Sequence, residues 1–320
     1  MTSTILNGST PDTAAIPMIT DQPVLVIICG PTAAGKTAAS LTIAKALNTE
    51  IISADSRQFY KELCIGTARP AAGELSQVRH HFIGNLSIGD TYNIGMFEKD
   101  ALDLLSKLFE KYSSVIMVGG SGLYIHAICH GIDFLPESDG LIRDELNALY
   151  QSRGIFPLQE KLKEIDPEYF KKVDLNNPVR LIRAIEVTMV TGKPYSSFRK
   201  QQPVKRNFRI IKTGIDLPRR QLYHRIDQRV DDMIARGLVE EARRLLPFRS
   251  LNALNTVGYK ELFDYFDKKI SLPDAIELIK RNSRRYAKRQ LTWFRKDEQI
   301  KWFGPEDTGP MLEYIQTRHD

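Results

Sequence analysis

Six apolar residues, Val24 to Cys29, run directly into Gly30-Pro31-Thr32-Ala33-Ala34-Gly35-Lys36-Thr37, and Ala39, Ile43, Ala46 and Leu47 then recur on one helical face. An apolar run of strand length, a glycine-bounded octet ending Gly-Lys-Thr and a helix make up the strand, P-loop, helix unit. In such a loop the glycines permit a tight turn, so that successive N–H groups and the positive end of the helix form a concave anion site. A phosphorylated ligand is expected there, against Gly30, Thr32, Ala33, Ala34, Gly35, Lys36 and Thr37. Lys36 reaches the outer phosphate as a mobile point charge, and the Thr37 hydroxyl is placed to help hold a magnesium ion. A plain Gly/Ala-rich turn would leave Gly-Lys-Thr at the helix start unexplained.

The P-loop does not say what happens to the phosphate. Phosphoryl-transfer enzymes usually add a carboxylate at the end of another buried strand, yet Val115-Ile116-Met117-Val118 ends in Gly119-Gly120-Ser121-Gly122. The acid at a comparable place is Asp55, after Glu50-Ile51-Ile52-Ser53, as a metal ligand or as something else. From Val24 to about Leu135 the order strand, helix, strand, irregular segment, helix, strand, helix favours a P-loop NTPase-like α/β fold, a mostly parallel sheet with helices on both faces. Its ligands belong beyond the carboxyl ends of the strands, where the P-loop, the Asp55 loop and the Gly119–Gly122 turn converge.

A chain of 320 residues has room for two domains. Residues 1–21 read as a mobile tail without a signal-peptide pattern, and no segment reaches the length of a membrane span. The catalytic core is expected over 22–136 and 204–310, interrupted by a small all-helical insertion over 137–203. Within the insertion, Asn177 caps a helix beginning at Pro178, with Leu181, Ile185 and Met189 on its buried side and Gly192 as its stop. Arg180 and Arg183 share one face, as a solvated pair or as an anion contact. The sheet resumes with Phe208–Ile211, and a helix from Pro218 to Gly237 buries Leu222, Ile226 and Met233 and sets Arg225 and Arg229 on one face. Cys29, Cys64 and Cys129 suggest neither a disulfide framework nor a zinc site, which fits a reducing, cytoplasmic setting.

The net charge of +6 names no partner, but its distribution is informative. Lys280, Arg281, Arg284, Arg285, Lys288, Arg289, Arg295 and Lys296 fall in one helical stretch without an acid, interleaved with Tyr286, Trp293 and Phe294. A charge run is commonly a solvated face. One sign with interleaved aromatics favours phosphate contacts beside base stacking, and so nucleic acid.

These residues resemble the tRNA dimethylallyltransferases along nearly the whole chain after the tail. The resemblance rests on the P-loop octet, Ser53-Ala54-Asp55-Ser56 with Tyr60-Lys61, Ile65-Gly66-Thr67-Ala68-Arg69-Pro70, Val118 to Tyr124, Asn177-Pro178 with Arg180 to Glu186, Val257-Gly258-Tyr259, and Ala287 to Trp293. It implies an alkyl transferase that moves a dimethylallyl group from its diphosphate to N6 of the adenosine 3′ of the anticodon. The substrates it implies are tRNAs reading codons that begin with U, and the cofactor is Mg²⁺. The bond broken is then carbon to oxygen, so no phosphoryl-transfer carboxylate is needed. By the same resemblance Asp55 accepts the N6 proton, while Ser121 and Arg229 act on the diphosphate side. The tRNA is gripped by Asp55, Ser56, Arg57, Gln58, Ser121, Arg143, Arg180, Arg183, Lys288, Arg289, Gln290, Trp293 and Arg295. Ser121 stands where the family commonly has threonine, and Arg57 at a commonly apolar position. A monomer with no membrane association is expected. Two other readings remain: a P-loop small-molecule or nucleotide kinase, which leaves the basic helix unexplained, and a non-catalytic RNA-binding protein, which leaves Lys36-Thr37 unexplained.

Overall fold

The structure, a computed structural model, describes residues 22–133, 135–199, 202 and 204–318, so the expected tail lies outside the described residues. Strand β1 (Val24–Cys29) leads through the P-loop into α1 (Lys36–Ala46), β2 (Ile51–Ser53), α2 (Ala72–Leu75), β3 (His80–His81) and α3 (Ile94–Phe109). Strand β4 (Ser114–Gly119) and α4 (Gly122–His130) follow, and then the helices α5 (Gly140–Arg153), α6 (Phe156–Ile165), α7 (Pro167–Phe170) and α8 (Pro178–Thr191). The chain returns as β5 (Arg209–Ile215), α9 (Arg219–Ala235), α10 (Leu238–Leu245), α11 (Tyr259–Phe266), α12 (Leu272–Phe294), β6 (Lys301–Phe303) and α13 (Thr308–Thr317).

The six strands form one parallel sheet in the order β3-β2-β4-β1-β5-β6. Because side chains alternate across a strand, the uniformly apolar β1 feeds two cores. Val24, Val26 and Ile28 pack with Ile43 of α1, Leu222 and Ile226 of α9 and Ile315 of α13. Leu25, Ile27 and Cys29 pack with Phe97, Ala101 and Leu105 of α3 and Ile125 and Ile128 of α4. The sheet is therefore covered on both faces, as an all-parallel sheet must be. Two further apolar clusters lie off the sheet, one among α5 to α8 around Leu158, Leu162, Leu181 and Ile185, the other among α9 to α12 around Leu238, Tyr259, Leu262 and Ile279.

Local signals are realised closely where they are self-contained. Asn177 accepts from the Arg180 amide at the start of α8, and Gly192 ends the helix in the left-handed conformation. Met189 is an exception, exposed rather than buried. At 100° per residue it lies about 80° round from Leu181, and Thr188 takes the inward place. Strand β5 begins one residue later and runs four residues further than expected, because its polar positions are buried. Lys212 is satisfied there by Asp297 Oδ2 at 2.7 Å and Gln299 Oε1 at 3.1 Å. Among the described residues no helix is long and apolar enough to cross a membrane.

Candidate active site

The P-loop stands at the carboxyl end of the central strand. Gly30 has φ +145°, and a Cβ there would lie 2.5 Å from the Ile215 carbonyl oxygen of the neighbouring strand, so only glycine lets the loop leave β1 at this angle. Gly35 precedes α1 in the left-handed region. Within the described residues the amides of Ala33, Gly35, Lys36 and Thr37 donate to no protein acceptor, and the Thr37 hydroxyl has no protein partner. Four free amides at a helix start are the donors that a concave anion site requires. The Lys36 ammonium donates to the Pro31 carbonyl at 2.7 Å, folded back over the loop. Burial lowers it from the ordinary lysine range to about 8, opposed by the Asp55 charge and reinforced by Arg229.

Two cavities open around this loop. One, of about 470 Å³, is lined by Thr32 to Thr37, Arg69, Arg225, Arg229 and Arg236. The other, of about 720 Å³, is lined by Ser56, Arg57, Gly66, Asn282, Arg285 and Arg289. Both include Thr32, Asp55, Thr67, Arg229 and Tyr286. The anion chamber and the larger chamber therefore meet at one carboxylate, one guanidinium and one phenol.

Each of these groups is held by neighbours. Asp55 Oδ1 accepts from the Arg57 amide at 3.1 Å. Arg229, on α9, donates to the Thr32 hydroxyl at 3.0 Å, and burial lowers its pKa against the opposing pull of Asp55. A guanidinium placed in so dry a position calls for an anion. Ser121 accepts from the Ser56 amide at 3.1 Å and donates to the Ser56 hydroxyl at 3.3 Å, which fixes the Gly119–Gly122 turn against the Asp55 loop. Tyr286 was placed by its sequence context among stacking aromatics, but its hydroxyl belongs to the junction. Burial and then the Asp55 charge push that phenol up to about 12, with Arg57, Arg289 and Ser121 acting the other way.

Other expected contacts are distributed differently. Gln290 is buried: its Oε1 accepts from the Thr32 amide and its Nε2 donates to the Gly120 carbonyl, both at 2.9 Å, so it clamps two loops instead of presenting an amide to RNA. Gln58 likewise turns inward, donating to the carbonyls of Thr67 and Ala68 at 3.3 and 3.4 Å. Arg57 Nη1 donates to the Asn252 carbonyl at 2.9 Å, on the rim of the larger chamber. Arg143 and Arg183 converge on the wholly buried Glu186, at 2.6 and 3.1 Å, and thus serve the helical unit from within. Arg180 is exposed and, among the described residues, makes no ion pair. In the acid-free stretch three of the cations are paired: Lys280 with Asp231 at 2.8 Å and with Glu277 one turn earlier at 3.5 Å, Arg284 with Asp227, and Arg295 with Asp216 at 2.5 Å. Arg285, Lys288, Arg289 and Trp293 remain exposed, with Arg289 5.8 Å over the Tyr286 ring and Trp293 against Gly122.

Magnesium prefers oxygen ligands and commonly keeps only one or two from protein, with substrate phosphates supplying others. Among the described residues no group of three or more His, Cys, Asp or Glu is arranged for a metal. The free Thr37 hydroxyl beside the anion site fits an ion held mainly by a phosphorylated ligand.

A family model described as IPP transferase matches residues 58–297. The chain is 54% identical over 295 residues to a tRNA dimethylallyltransferase of Christiangramia forsetii, covering 92% of this chain and 98% of that one. It is 46% identical over 298 residues to tRNA dimethylallyltransferase 1 of Bacteroides thetaiotaomicron, covering 93% and 97%. Among solved structures, the full-length tRNA isopentenylpyrophosphate transferase of Bacillus halodurans is similar at TM-score 0.69 and 37% identity, over 93% of this chain and 97% of that one. A eukaryotic dimethylallyltransferase acting on tRNA has the same fold at TM-score 0.75 and 24% identity, over 92% of this chain and 77% of that one.

Proposed function

The chain belongs to the IPP transferase family of tRNA-prenylating transferases, and from that premise we propose that its two-chambered cleft moves a dimethylallyl group from dimethylallyl diphosphate to an adenosine N6. The acceptor is the adenosine 3′ of the anticodon in tRNAs that read codons beginning with U, and the protein acts as a cytoplasmic monomer. The observation that carries this reading is the junction: Asp55, Arg229 and Tyr286 belong to both chambers. An anion held by the P-loop amides and a base entering the larger chamber would meet at those side chains.

In the reaction N6 forms a bond to the allylic carbon, the carbon–oxygen bond breaks, and its electron pair leaves with the diphosphate. Asp55 takes the N6 proton, since the ring-delocalised nitrogen is a weak nucleophile until that proton departs. The loop amides, Lys36 and Arg229 stabilise charge that grows on the leaving oxygen, an interaction strongest in the transition state. Thr37 is the residue that would hold a magnesium ion, whose chemistry is to neutralise part of the diphosphate charge. A base must leave its stack for chemistry at N6, and an anticodon loop offers one already unpaired.

Arg285 and Arg289 at the larger chamber, with the exposed Lys288 and Trp293 on the same helix, suit a nucleic acid better than the small acceptor of a kinase. Labelled dimethylallyl diphosphate, magnesium and total tRNA distinguish the two readings. Label should enter tRNA without ATP. ATP consumption with no label in tRNA would return the kinase reading.

A further inference from the structure

Two motifs of the sequence, Ile65 to Pro70 and Val257-Gly258-Tyr259, have no part in the chemistry above, yet they meet in space. The first is an irregular loop that walls the cleft, since Gly66 and Thr67 line the larger chamber and Thr67, Ala68 and Arg69 line the anion chamber. Irregular backbone needs partners for its amides; those of Ala68 and Arg69 donate to the carbonyls of Ile65 and Cys64 within the loop, and three earlier ones share one side chain. Glu241 of α10, 4% exposed, accepts from the amides of Cys64 at 3.2 Å, Ile65 at 2.9 Å and Gly66 at 3.0 Å. Its Oε1 also accepts from the Tyr259 hydroxyl at 2.7 Å. Three consecutive N–H groups turned onto one carboxylate form an anion nest, filled by the protein's own acid.

Tyr259 does two things in this arrangement. Its hydroxyl fixes one carboxylate oxygen, and its fully buried ring floors the loop, so that a Cβ on Gly66 would lie 2.6 Å from the ring carbon Cζ. On the opposite side Gln58 holds the carbonyls of Thr67 and Ala68. Glu241 stands on α10 and Tyr259 on α11, whereas Gln58 follows the Asp55 turn from the sheet. The loop is thereby tied to both bodies that bound the cleft.

We propose that Glu241, with Tyr259, is a positioning residue for the transfer reaction: its carboxylate sets the Gly66-Thr67 wall at the junction and so fixes the acceptor base relative to the leaving diphosphate. This rests on the reading of the cleft given above. Glu241 touches neither substrate. It acts through three backbone amides, and replacing one carboxylate oxygen by an amide NH₂ would point a donor at donors. A misplacement of about 1 Å in a reacting pair costs on the order of 10²-fold in rate.

The test is Glu241→Gln, with Tyr259→Phe and Gly66→Ala as separate disturbances of the same wall. The single-turnover transfer rate should fall roughly 10–100-fold in Glu241→Gln and Gly66→Ala, and by less in Tyr259→Phe, which keeps the three amide contacts. In Glu241→Gln and Tyr259→Phe the affinities for dimethylallyl diphosphate and for an anticodon stem-loop should stay within about threefold, because the P-loop and the basic face are untouched. Alkylation of Cys64, at the start of the nest, should accelerate in Glu241→Gln while the far-ultraviolet spectrum stays unchanged. The proposal is overturned if folded Glu241→Gln transfers at the parental rate, or if rate and both affinities fall together. Should Glu241→Gln fail to fold, Tyr259→Phe and Gly66→Ala decide: a parental rate in both overturns it. Absence of transfer by the unmodified protein would sink the underlying reading instead.

Discussion

Lys36 sits where its charge is least comfortable and most needed. Burial lowers its ammonium to about 8, well below the usual lysine range, so between there and about 10.4 the unfolded chain binds a proton that the folded one does not. The sign follows: this group's contribution to stability rises as pH rises through that window. A bound diphosphate favours the ammonium and pulls the value back up. Donor binding at pH 9 should therefore take up close to one proton, measurable by calorimetry in buffers of different ionisation enthalpy, and affinity should weaken from about pH 8 upward. No proton uptake at pH 9 would mean that Lys36 does not face the diphosphate. For Asp55 the decisive variant is Asp55→Asn, which keeps size and hydrogen bonding. A lost general base costs on the order of 10²–10⁴ in rate, with tRNA affinity and magnesium requirement unchanged. Recovery of activity by excess magnesium would reassign the carboxylate to the metal.

Helix α12 shows what a sequence discloses at the scale of an element and what it leaves out. Its basic run is plain, but Asp216 after β5 and Asp227 and Asp231 on α9, which pair with Arg295, Arg284 and Lys280, lie about 50 to 80 residues earlier and are recognisable as partners only once the chain is folded. The remaining charge is narrower than the sequence suggests. Arg289→Ala and Arg180→Ala should each reduce the slope of log affinity against log salt for an anticodon stem-loop by about one, since each phosphate contact releases counterions. Equal slopes in variant and parent would return that arginine to plain solvent. Gln290 and Glu241 mark the same boundary of legibility. The P-loop, Asn177-Pro178 and Gly192 are legible because their partners are a few residues away. Gln290 bonds to Thr32, 258 residues distant, and Glu241 to Gly66, 175 distant. Nothing local distinguishes such side chains from their helical neighbours. The unexpected β6 and α13 belong with them, being short elements whose apolar positions acquire meaning only against β5 and α1.

In the whole molecule the helical unit of α5 to α8 depends on one buried acid. Glu186 accepts from Arg143, Arg183 and the Asp139 amide, and Arg183 also donates to the Pro136 carbonyl at 2.6 Å, so the segment leading into the unit is fastened to its central helix. Removing the acid strands two arginines. Glu186→Ala should loosen this unit by on the order of 3 kcal/mol, the lower end for a broken buried pair because both arginines retain some access to water. Hydrogen exchange should quicken in α5 to α8 and remain slow in β1 and β4; uniform acceleration would show that the unit does not open separately. The same unit also separates strands that must become neighbours. Strand β1 lies between β4 and β5, with Val24 opposite both Ser114 and Arg209. A ribosome delivers the first of these partners and then all of α5 to α8 before it delivers the second. At about 5–20 residues per second, the roughly one hundred intervening residues keep one edge of the central strand open for about 5–20 s during each round of synthesis. The nascent chain spends those seconds as a half-built sheet that any other extended peptide could join.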